Sequence, residues 1–155
     1  MFTGNATVNL DEKGRFAIPT RYRDRVQELC ACKLIVTVAI NERGVGVDGC
    51  LWIYPLPAWE ELLKTISKLS DLNRKALKLK RFLIGYAADC EMDTQGRVLL
   101  PEMLRKFARL DKKMILVGQL NRFELWNEDD WLKEEADFKD NDDIEGLESL
   151  GDLSF

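Results

Sequence analysis

Histidine is absent from this sequence and cysteine occurs only four times, so two common sources of site chemistry are scarce. Without histidine the chain lacks the commonest general base, metal ligand and neutral-pH switch. The cysteines show neither the density of a disulfide scaffold nor the CxxC spacing of a zinc ribbon, which predicts buried thiols and no cofactor or metal. A redox or metal role stays open for three of them, Cys30, Cys32 and Cys50.

Long apolar runs and catalytic motifs are also missing. The longest apolar stretch, at residues 34–40, is far shorter than the roughly 20 residues that cross a bilayer. Residues 1–5 have neither the charged nor the apolar region of a secretory signal. There is no Gly-rich phosphate loop, and sequence neighbours such as Glu60 and Glu61 rarely face one another. We therefore expect a cytoplasmic protein that is not an enzyme and has no membrane partner and no small-molecule substrate.

The formal net charge of −4 conceals an uneven distribution along the chain. Residues 128–155 carry twelve Asp or Glu and only two Lys, whereas the rest of the chain carries 21 basic and 15 acidic side chains. A mildly basic body with an acidic tail is compatible with a nucleic-acid partner, which the total charge alone would argue against. Competition of the tail with DNA and a solubilising role both stay open, the second being the commoner case.

An internal repeat is the most informative feature of the sequence. Residues 11–19, Asp-Glu-Lys-Gly-Arg-Phe-Ala-Ile-Pro, recur at 93–101 as Asp-Thr-Gln-Gly-Arg-Val-Leu-Leu-Pro, at an offset of 82. Further along, residues 51–54 correspond to 123–126 at an offset of 72. The change of offset indicates an insertion in the first copy, most simply in the Gly-rich stretch at 43–49.

Each copy predicts the same succession of elements. An alternating strand leads into a tight hairpin turn, whose glycine, Gly14 or Gly96, supplies the positive φ that the turn needs. A return strand ends at Pro19 or Pro101, because proline cannot donate to a ladder but suits the first turn of a helix. The predicted elements are strands at 6–10, 16–18, 88–92 and 98–100, helices at 21–29 and 102–108, and hairpins joining 34–40 to 51–54 and 114–117 to 123–126.

Two helical stretches separate the copies. The first begins at Pro57 and has an apolar stripe at helical spacing. The second predicts an apolar side of Leu72, Ala76, Leu79 and Leu83 and a basic side of Arg74, Lys78 and Arg81. A solvated outer face is the favoured interpretation of the basic side, with phosphate contact as the alternative. In the tail, Ile144, Leu147, Leu150 and Leu153 are compatible with either a short docking helix or disorder.

The opening Met-Phe-x-Gly-Asn, the two Asp-x-x-x-Arg motifs at 11–15 and 93–97, and the repeat spacing resemble the MraZ family over about residues 1–135. Members of that family pair two AbrB-like swapped-hairpin domains. The resemblance implies a β-rich α+β fold whose two tandem repeats interlock as a double-split β-barrel with flanking helices. The implied domains are a first swapped-hairpin domain at 1–56, a helical connector at 57–86, a second swapped-hairpin domain at 87–135 and an acidic tail at 136–155.

The resemblance also implies a function. The chain is expected to be a sequence-specific DNA-binding transcription regulator, a repressor of a bacterial cell-division and cell-wall gene cluster that includes its own gene. The chains are expected to form a ring-shaped homo-oligomer that binds tandem G-rich repeats in double-stranded DNA and associates with the nucleoid. The alternative is an oligomeric assembly or antitoxin-like protein-binding module without its own operator, which predicts a ring with no affinity for its own promoter.

Arginine at the turns is the leading candidate for contact with DNA. A guanidinium can fork two hydrogen bonds to guanine O6 and N7 or clamp a phosphate, which favours Arg15 and Arg97. Lys13 adds positive charge to the first tip, whereas Gln95 stands at the matching place in the second.

The remaining candidates are Arg23 and Arg105, which follow the prolines and are expected to contact phosphates. Asp11 and Asp93 are expected to orient the arginines or cap the turns, because phosphates repel a bare carboxylate. Simple Asp–Arg pairs that only hold the hairpins are the alternative.

Overall fold

The computed structural model describes residues 1–41, 44–45 and 49–140. Most of the Gly-rich stretch at 43–49 and the tail positions 141–155, including Ile144, Leu147, Leu150 and Leu153, lie outside the described residues. No helix in the described ranges combines the length and apolar content needed to cross a membrane.

The two copies repeat the same order of elements, as the sequence predicts. The first comprises β1 (Asn5–Asn9), β2 (Arg15–Ala17), α1 (Thr20–Cys30), β3 (Lys33–Val38), the short strands β4 (Ile40–Asn41) and β5 (Gly44–Val45), and β6 (Leu51–Pro55). Helices α2 (Leu56–Ser67) and α3 (Arg74–Leu83) follow. The second comprises β7 (Ala88–Glu91), β8 (Arg97–Leu99), α4 (Glu102–Phe107), β9 (Lys113–Gly118) and β10 (Phe123–Asn127), before α5 (Glu128–Asp140).

The fold is a mixed α+β structure around an antiparallel six-stranded sheet in the order β1-β9-β10-β6-β3-β7. The predicted hairpins of β3 with β6 and of β9 with β10 are confirmed. The first strand of each copy extends the hairpin of the other copy, because β1 pairs with β9 and β7 pairs with β3. The two copies therefore share one sheet.

The pairing around each Asp-x-x-x-Arg turn differs from a simple hairpin. The turn itself is closed, since the Asp11 amide donates to the Arg15 carbonyl over 2.8 Å. The ladder then stops, and β2 pairs with β8 of the other copy. This pairing places Phe16 opposite Val98 and buries both side chains. Strand β1 contributes to the core separately, through the buried side chain of Val8.

One apolar core is common to both copies. It lies among the sheet, the β2–β8 pair and helices α1 and α4, and its members include Phe2, Phe16, Val98, Leu104 and Phe123. A second cluster packs α2 and α3 on the opposite face of the sheet around Tyr54, Trp59 and Leu83. A third packs Trp131 of α5 against Trp126 and Ile115.

The connector helices agree with the predicted apolar stripes except at Leu69, which follows the end of α2 and is 39% exposed, and at Leu72. Trp59 and Ile66 of α2 are buried, as are Ala76 and Leu83 of α3. Leu72, predicted on the apolar side, is instead 97% exposed. The helix begins only after Asn73, whose side chain caps the amides of Lys75 and Ala76, so Leu72 precedes the packed face.

In the part of the chain that the structure describes, no group of three or more Cys, Asp or Glu side chains is arranged to hold a metal ion. Cys30 belongs to the main core and Cys50 to the cluster under α5, whereas Cys32 and Cys90 are half-buried. Burial raises the pKa of the Cys30 thiol, and it raises the pKa of Cys90 to about 11. Both thiols therefore remain protonated at neutral pH, the state in which a thiol is a poor nucleophile and metal ligand.

Two adjacent leucines test this packing under matched chemistry. Leu100, which follows β8, is 1% exposed in the main core, whereas Leu99, the last residue of β8, is 58% exposed on its outer side. We expect Leu100→Ala to lower the free energy of unfolding by about 2–5 kcal/mol. Leu99→Ala is expected to change it by less than about 0.5 kcal/mol. Urea unfolding followed by tryptophan fluorescence measures both, and equal losses would contradict the orientation of the strand.

Candidate nucleic-acid interface

The paired strands β2 and β8 form a two-stranded ribbon at the surface. In their register Arg15 lies opposite Leu99, Phe16 opposite Val98, and Ala17 opposite Arg97. Because side chains alternate along a strand, Phe16 and Val98 point into the core and the other four side chains share the outer face. We call this face, made of Arg15, Ala17, Arg97 and Leu99, the arginine ribbon. Its two arginines are diagonal neighbours, with backbones roughly 7–8 Å apart.

The sequence predicts the two arginines at separate hairpin turns, whereas the structure places them on one surface. Each arginine comes from a different copy of the repeat, so no local pattern shows that they meet. The side chains of Arg15 and Arg97 are 27% and 35% exposed, respectively, and both are accessible from the outer face.

The carboxylate of Asp11 has two separate tasks. Its Oδ1 accepts hydrogen bonds from the amides of Lys13, at 2.9 Å, and Arg15, at 2.8 Å, which closes the turn. Its Oδ2 accepts a hydrogen bond from Arg15 Nε at 2.9 Å. Asp11 thus caps the turn and pairs with the arginine.

The second turn repeats this geometry. Asp93 Oδ1 accepts from the amides of Gln95, at 2.9 Å, and Arg97, at 2.8 Å, and its Oδ2 accepts from Arg97 Nε at 2.9 Å. In both arginines the aspartate engages the inner nitrogen of the guanidinium. Within the described residues, the side-chain hydrogen bonds of Arg15 and Arg97 run through Nε, so the Nη donors remain available to another partner.

Both aspartates are held in the charged state by the turns they cap. The hydrogen bond from the Arg15 amide is the main cause that lowers the pKa of Asp11, and the Arg15 side chain lowers it further. The amide and side chain of Arg97 lower the pKa of Asp93 in the same way. A lowered pKa means that these bonds stabilise the fold at neutral pH. The contribution is lost only as the pH falls below the ordinary aspartate value of 3.8 and through the lowered pKa.

The glycines of the two turns join the copies. Gly14 and Gly96 have φ angles of 84° and 78°, the left-handed conformation that the sequence predicts. The Gly14 carbonyl accepts a hydrogen bond from the Leu100 amide at 2.9 Å, and the Gly96 carbonyl accepts one from the Ile18 amide at 2.8 Å. Each turn is therefore fixed by the end of the other copy's return strand.

Arg23 and Arg105 have a packing role that the sequence did not reveal. Arg23 Nε donates to the Ile18 carbonyl at 2.7 Å, and Arg105 Nε donates to the Leu100 carbonyl at 3.0 Å. Both guanidiniums lie over the glycine of the opposite turn: a Cβ on Gly14 would come within 2.8 Å of Arg105 Cζ, and one on Gly96 would overlap Arg23 Nε. Both lie beside the turns, where they stack against backbone that only glycine leaves open.

Other residues complete the surface. Lys13 is exposed at the tip of the first turn, next to the exposed Glu12, and Gln95 is exposed at the matching place in the second turn. The sequence interpretation did not single out Ala17 and Leu99, which stand between the arginines on the outer face. Because side chains alternate between the two faces of a strand, Ala17 and Leu99 could have been identified once Phe16 and Val98 were known to point into the core.

Comparisons with known proteins agree with the internal repeat. A family described as "MraZ protein, putative antitoxin-like" matches the chain twice in succession, at residues 1–82 and 83–151. The chain belongs to the MraZ family. It is 47% identical over 151 residues to the transcriptional regulator MraZ of Methylococcus capsulatus, which covers 97% of this chain and 95% of that protein.

Other relatives carry the same name. The transcriptional regulator MraZ of Thioalkalivibrio sulfidiphilus is 48% identical over 144 residues, covering 92% of this chain and 91% of that protein. The transcriptional regulator MraZ of Pseudomonas aeruginosa is 48% identical over 131 residues, covering 84% of this chain and 83% of that protein.

The two tasks of Asp11 are separable by mutation. Asn at this position retains an oxygen for the amides of Lys13 and Arg15 but offers a donor to Arg15 Nε, so Asp11→Asn should keep the turn and release the arginine. We expect a thermal midpoint between those of the wild type and Asp11→Ala, with DNA affinity about threefold to tenfold weaker than that of the wild type. Asp11→Ala removes both contacts and should lower the midpoint as well. Calorimetry and fluorescence anisotropy measure the pair; equal affinity of Asp11→Asn and wild type would exclude an orienting role.

Proposed function

We propose that this chain is a sequence-specific, DNA-binding transcription regulator that contacts double-stranded DNA through the arginine ribbon. The observation that carries the proposal is the pair of arginines, Arg15 and Arg97, which share the outer face of the ribbon and are each held by an aspartate at Nε. The family membership supports the same conclusion, because its relatives are named as transcriptional regulators. A regulator of this kind requires no catalytic step and no cofactor.

The shape and chemistry of the ribbon suit the major groove. A two-stranded β-ribbon fits this groove, and a guanidinium edge can bind guanine O6 and N7 together. Arg15 and Arg97 take this role in the proposal, while Lys13 contacts a phosphate. Asp11 and Asp93 orient the arginines, and Gly14 and Gly96 shape the turns. Secondary phosphate contacts are assigned to Arg23 and Arg105, whose guanidiniums lie beside the turns.

We further propose that the architecture is the AbrB-like swapped-hairpin type, with the two copies interlocked as a double-split β-barrel. The exchange of strands supports this, since β1, β2 and β7, β8 all pair across the two copies. The domain boundaries at 1–56, 57–86, 87–135 and 136–155 belong to the same proposal. Helix α5 runs across the last of these boundaries, so the acidic segment begins within folded structure.

For the biological target, we propose repression of a bacterial cell-division and cell-wall gene cluster that includes the gene of this chain. The regulator acts in the cytoplasm, associated with the nucleoid, on tandem G-rich repeats in the promoter. The MraZ membership supports this assignment. A single ribbon carries few contacts, so several ribbons on one body are required to engage several repeats and raise the avidity.

Two helices of opposite charge support assembly into a ring. Helix α3 carries five Lys or Arg and no acidic residue, and a groove of about 320 Å³ along it is lined by Leu77 and Phe82 between its basic side chains. Helix α5 carries seven acidic residues and two lysines, and its Leu132 and Phe138 are exposed.

The positions of the two helices indicate how separate chains would meet. Helix α3 packs on β3 and α5 packs on β9 and β10, at opposite halves of the same sheet. Contact between α3 of one chain and α5 of the next chain is head-to-tail, and such contacts close into rings or continue as filaments. We propose that they close into a ring.

The ribbon proposal predicts a specific loss of DNA binding. Arg15→Ala should weaken binding to the promoter DNA of the chain's own gene by about 1–3 kcal/mol per engaged site, and Arg97→Ala should weaken it less because its turn lacks a lysine. Arg15→Lys keeps the charge but loses the fork, so it should retain salt-dependent binding and lose preference for the promoter over unrelated DNA. Fluorescence anisotropy over a salt series measures all three.

The matched control is Arg25→Ala, because this exposed arginine lines a groove with Met1 and Pro57 away from the ribbon and should leave affinity unchanged. An intact wild-type oligomer that fails to bind its promoter at low salt would refute the DNA-binding proposal. That result would favour the antitoxin-like or assembly function instead. Tight, salt-insensitive binding to a single repeat would refute the avidity mechanism.

The ring proposal predicts that charge reversal separates the subunits. Arg74→Glu with Arg81→Glu on α3 should lower the molar mass measured by light scattering, as should Asp129→Lys with Asp140→Lys on α5. Mixing the two variants should restore an oligomer, because each still offers one intact surface and the reversed surfaces attract each other. Lys64→Glu on α2 with Lys68→Glu at its C-terminal cap is the control. An unchanged mass in both variants would exclude this interface.

A further inference from the structure

Leu99 is the one large apolar side chain on the arginine ribbon. It is 58% exposed, although the residues on either side, Val98 and Leu100, are buried. The register places it directly opposite Arg15, and Arg97 lies two residues before it on the same face. On the ribbon, each arginine therefore lies opposite an apolar side chain: Arg15 opposite Leu99, and Arg97 opposite Ala17.

An isolated exposed leucine needs no explanation, but this one occupies a constrained position. The strand is held by the ladder with β2, and the hydrogen bond from the Leu100 amide to the Gly14 carbonyl extends this pairing by one residue. Its side chain therefore leaves the surface in a fixed direction, between two arginines whose inner nitrogens are anchored by Asp11 and Asp93. A macromolecule that binds both arginines therefore lies over Leu99 as well.

We propose that Leu99 is a specificity-determining residue that contacts the C5-methyl group of a thymine next to the base bound by Arg15. This inference rests on the proposed function. Among the groups on base edges in the major groove, the thymine methyl is the apolar one, so it is the natural partner of a leucine held there. Guanine-binding arginines and a methyl-binding leucine at neighbouring positions define a composite site of at least one thymine and one guanine.

The ribbon is consequently asymmetric despite its repeated backbone. The residue that matches Leu99 in the first copy is Ala17, which lies opposite Arg97 and has a single methyl group. Only the half of the ribbon formed by Arg15 and Leu99 can reach the thymine methyl. This half also carries Lys13 at its turn, so one orientation of the ribbon on DNA is favoured.

The test removes the methyl group from the DNA and the leucine from the protein. The probes are the promoter duplex of the chain's own gene and the same duplex with deoxyuridine in place of every thymine. Wild type should bind the methyl-free duplex at least about fourfold more weakly. Leu99→Ala should bind the two duplexes with nearly equal affinity. Any change in DNA shape acts on both proteins. The ratio of their two losses of affinity for the methyl-free duplex therefore measures the contact between Leu99 and the thymine methyl.

A double variant, Ala17→Leu with Leu99→Ala, provides a gain-of-function control. It places the leucine beside Arg97, so sensitivity to the thymine methyl should return. Light scattering on each variant confirms that the oligomer is unchanged.

Each alternative outcome is distinct. Equal penalties for wild type and Leu99→Ala would overturn the methyl contact while leaving DNA binding intact. A fall in molar mass of Leu99→Ala would overturn it by identifying Leu99 as a subunit contact. Failure of wild type to bind either duplex would refute the proposed function itself.

Discussion

The reciprocal closure of the two turns is the constraint on which the rest of the structure depends. The carbonyl of Gly14 accepts an amide of the second copy, and the carbonyl of Gly96 accepts an amide of the first. Each turn glycine is also covered by an arginine of the other copy, Arg105 over Gly14 and Arg23 over Gly96, so each turn is packed as well as bonded across the copies. The ribbon, the shared core and the placement of Arg15 beside Arg97 all follow from it.

Reciprocal closure explains how short strands hold a surface in a fixed geometry. Strands β2 and β8 have only three residues each, and an isolated two-stranded ribbon is marginal in water. Here the inward side chains, Phe16 and Val98, are buried in a core built by both copies, while two aspartates fix the outward arginines. Anchoring a guanidinium at Nε reduces the rotamer entropy that would otherwise be lost on binding.

The sequence was sufficient for features that are local and insufficient for those that join the copies. The turn glycines, the helices after Pro19 and Pro101 and the two outer hairpins were predictable, because proline, glycine and alternation act within a few residues. The partner of β2 was not, since short alternating strands fit several neighbours equally well. For the same reason, the sequence could not show Arg23 resting on Gly96 or Leu99 standing beside Arg15.

Placing both copies in one chain has a chemical consequence that a symmetric dimer of single hairpins would not have. In such a dimer the two halves of the ribbon carry the same residues, so the surface matches itself under a two-fold rotation. Here the backbone keeps that near-symmetry while the side chains differ: Lys13 matches Gln95, and Ala17 matches Leu99. The aspartates, glycines and arginines that build the geometry are the same in both copies. Lys13, Gln95, Ala17 and Leu99 are all exposed, so substitution at these positions changes what the surface binds and leaves the fold intact.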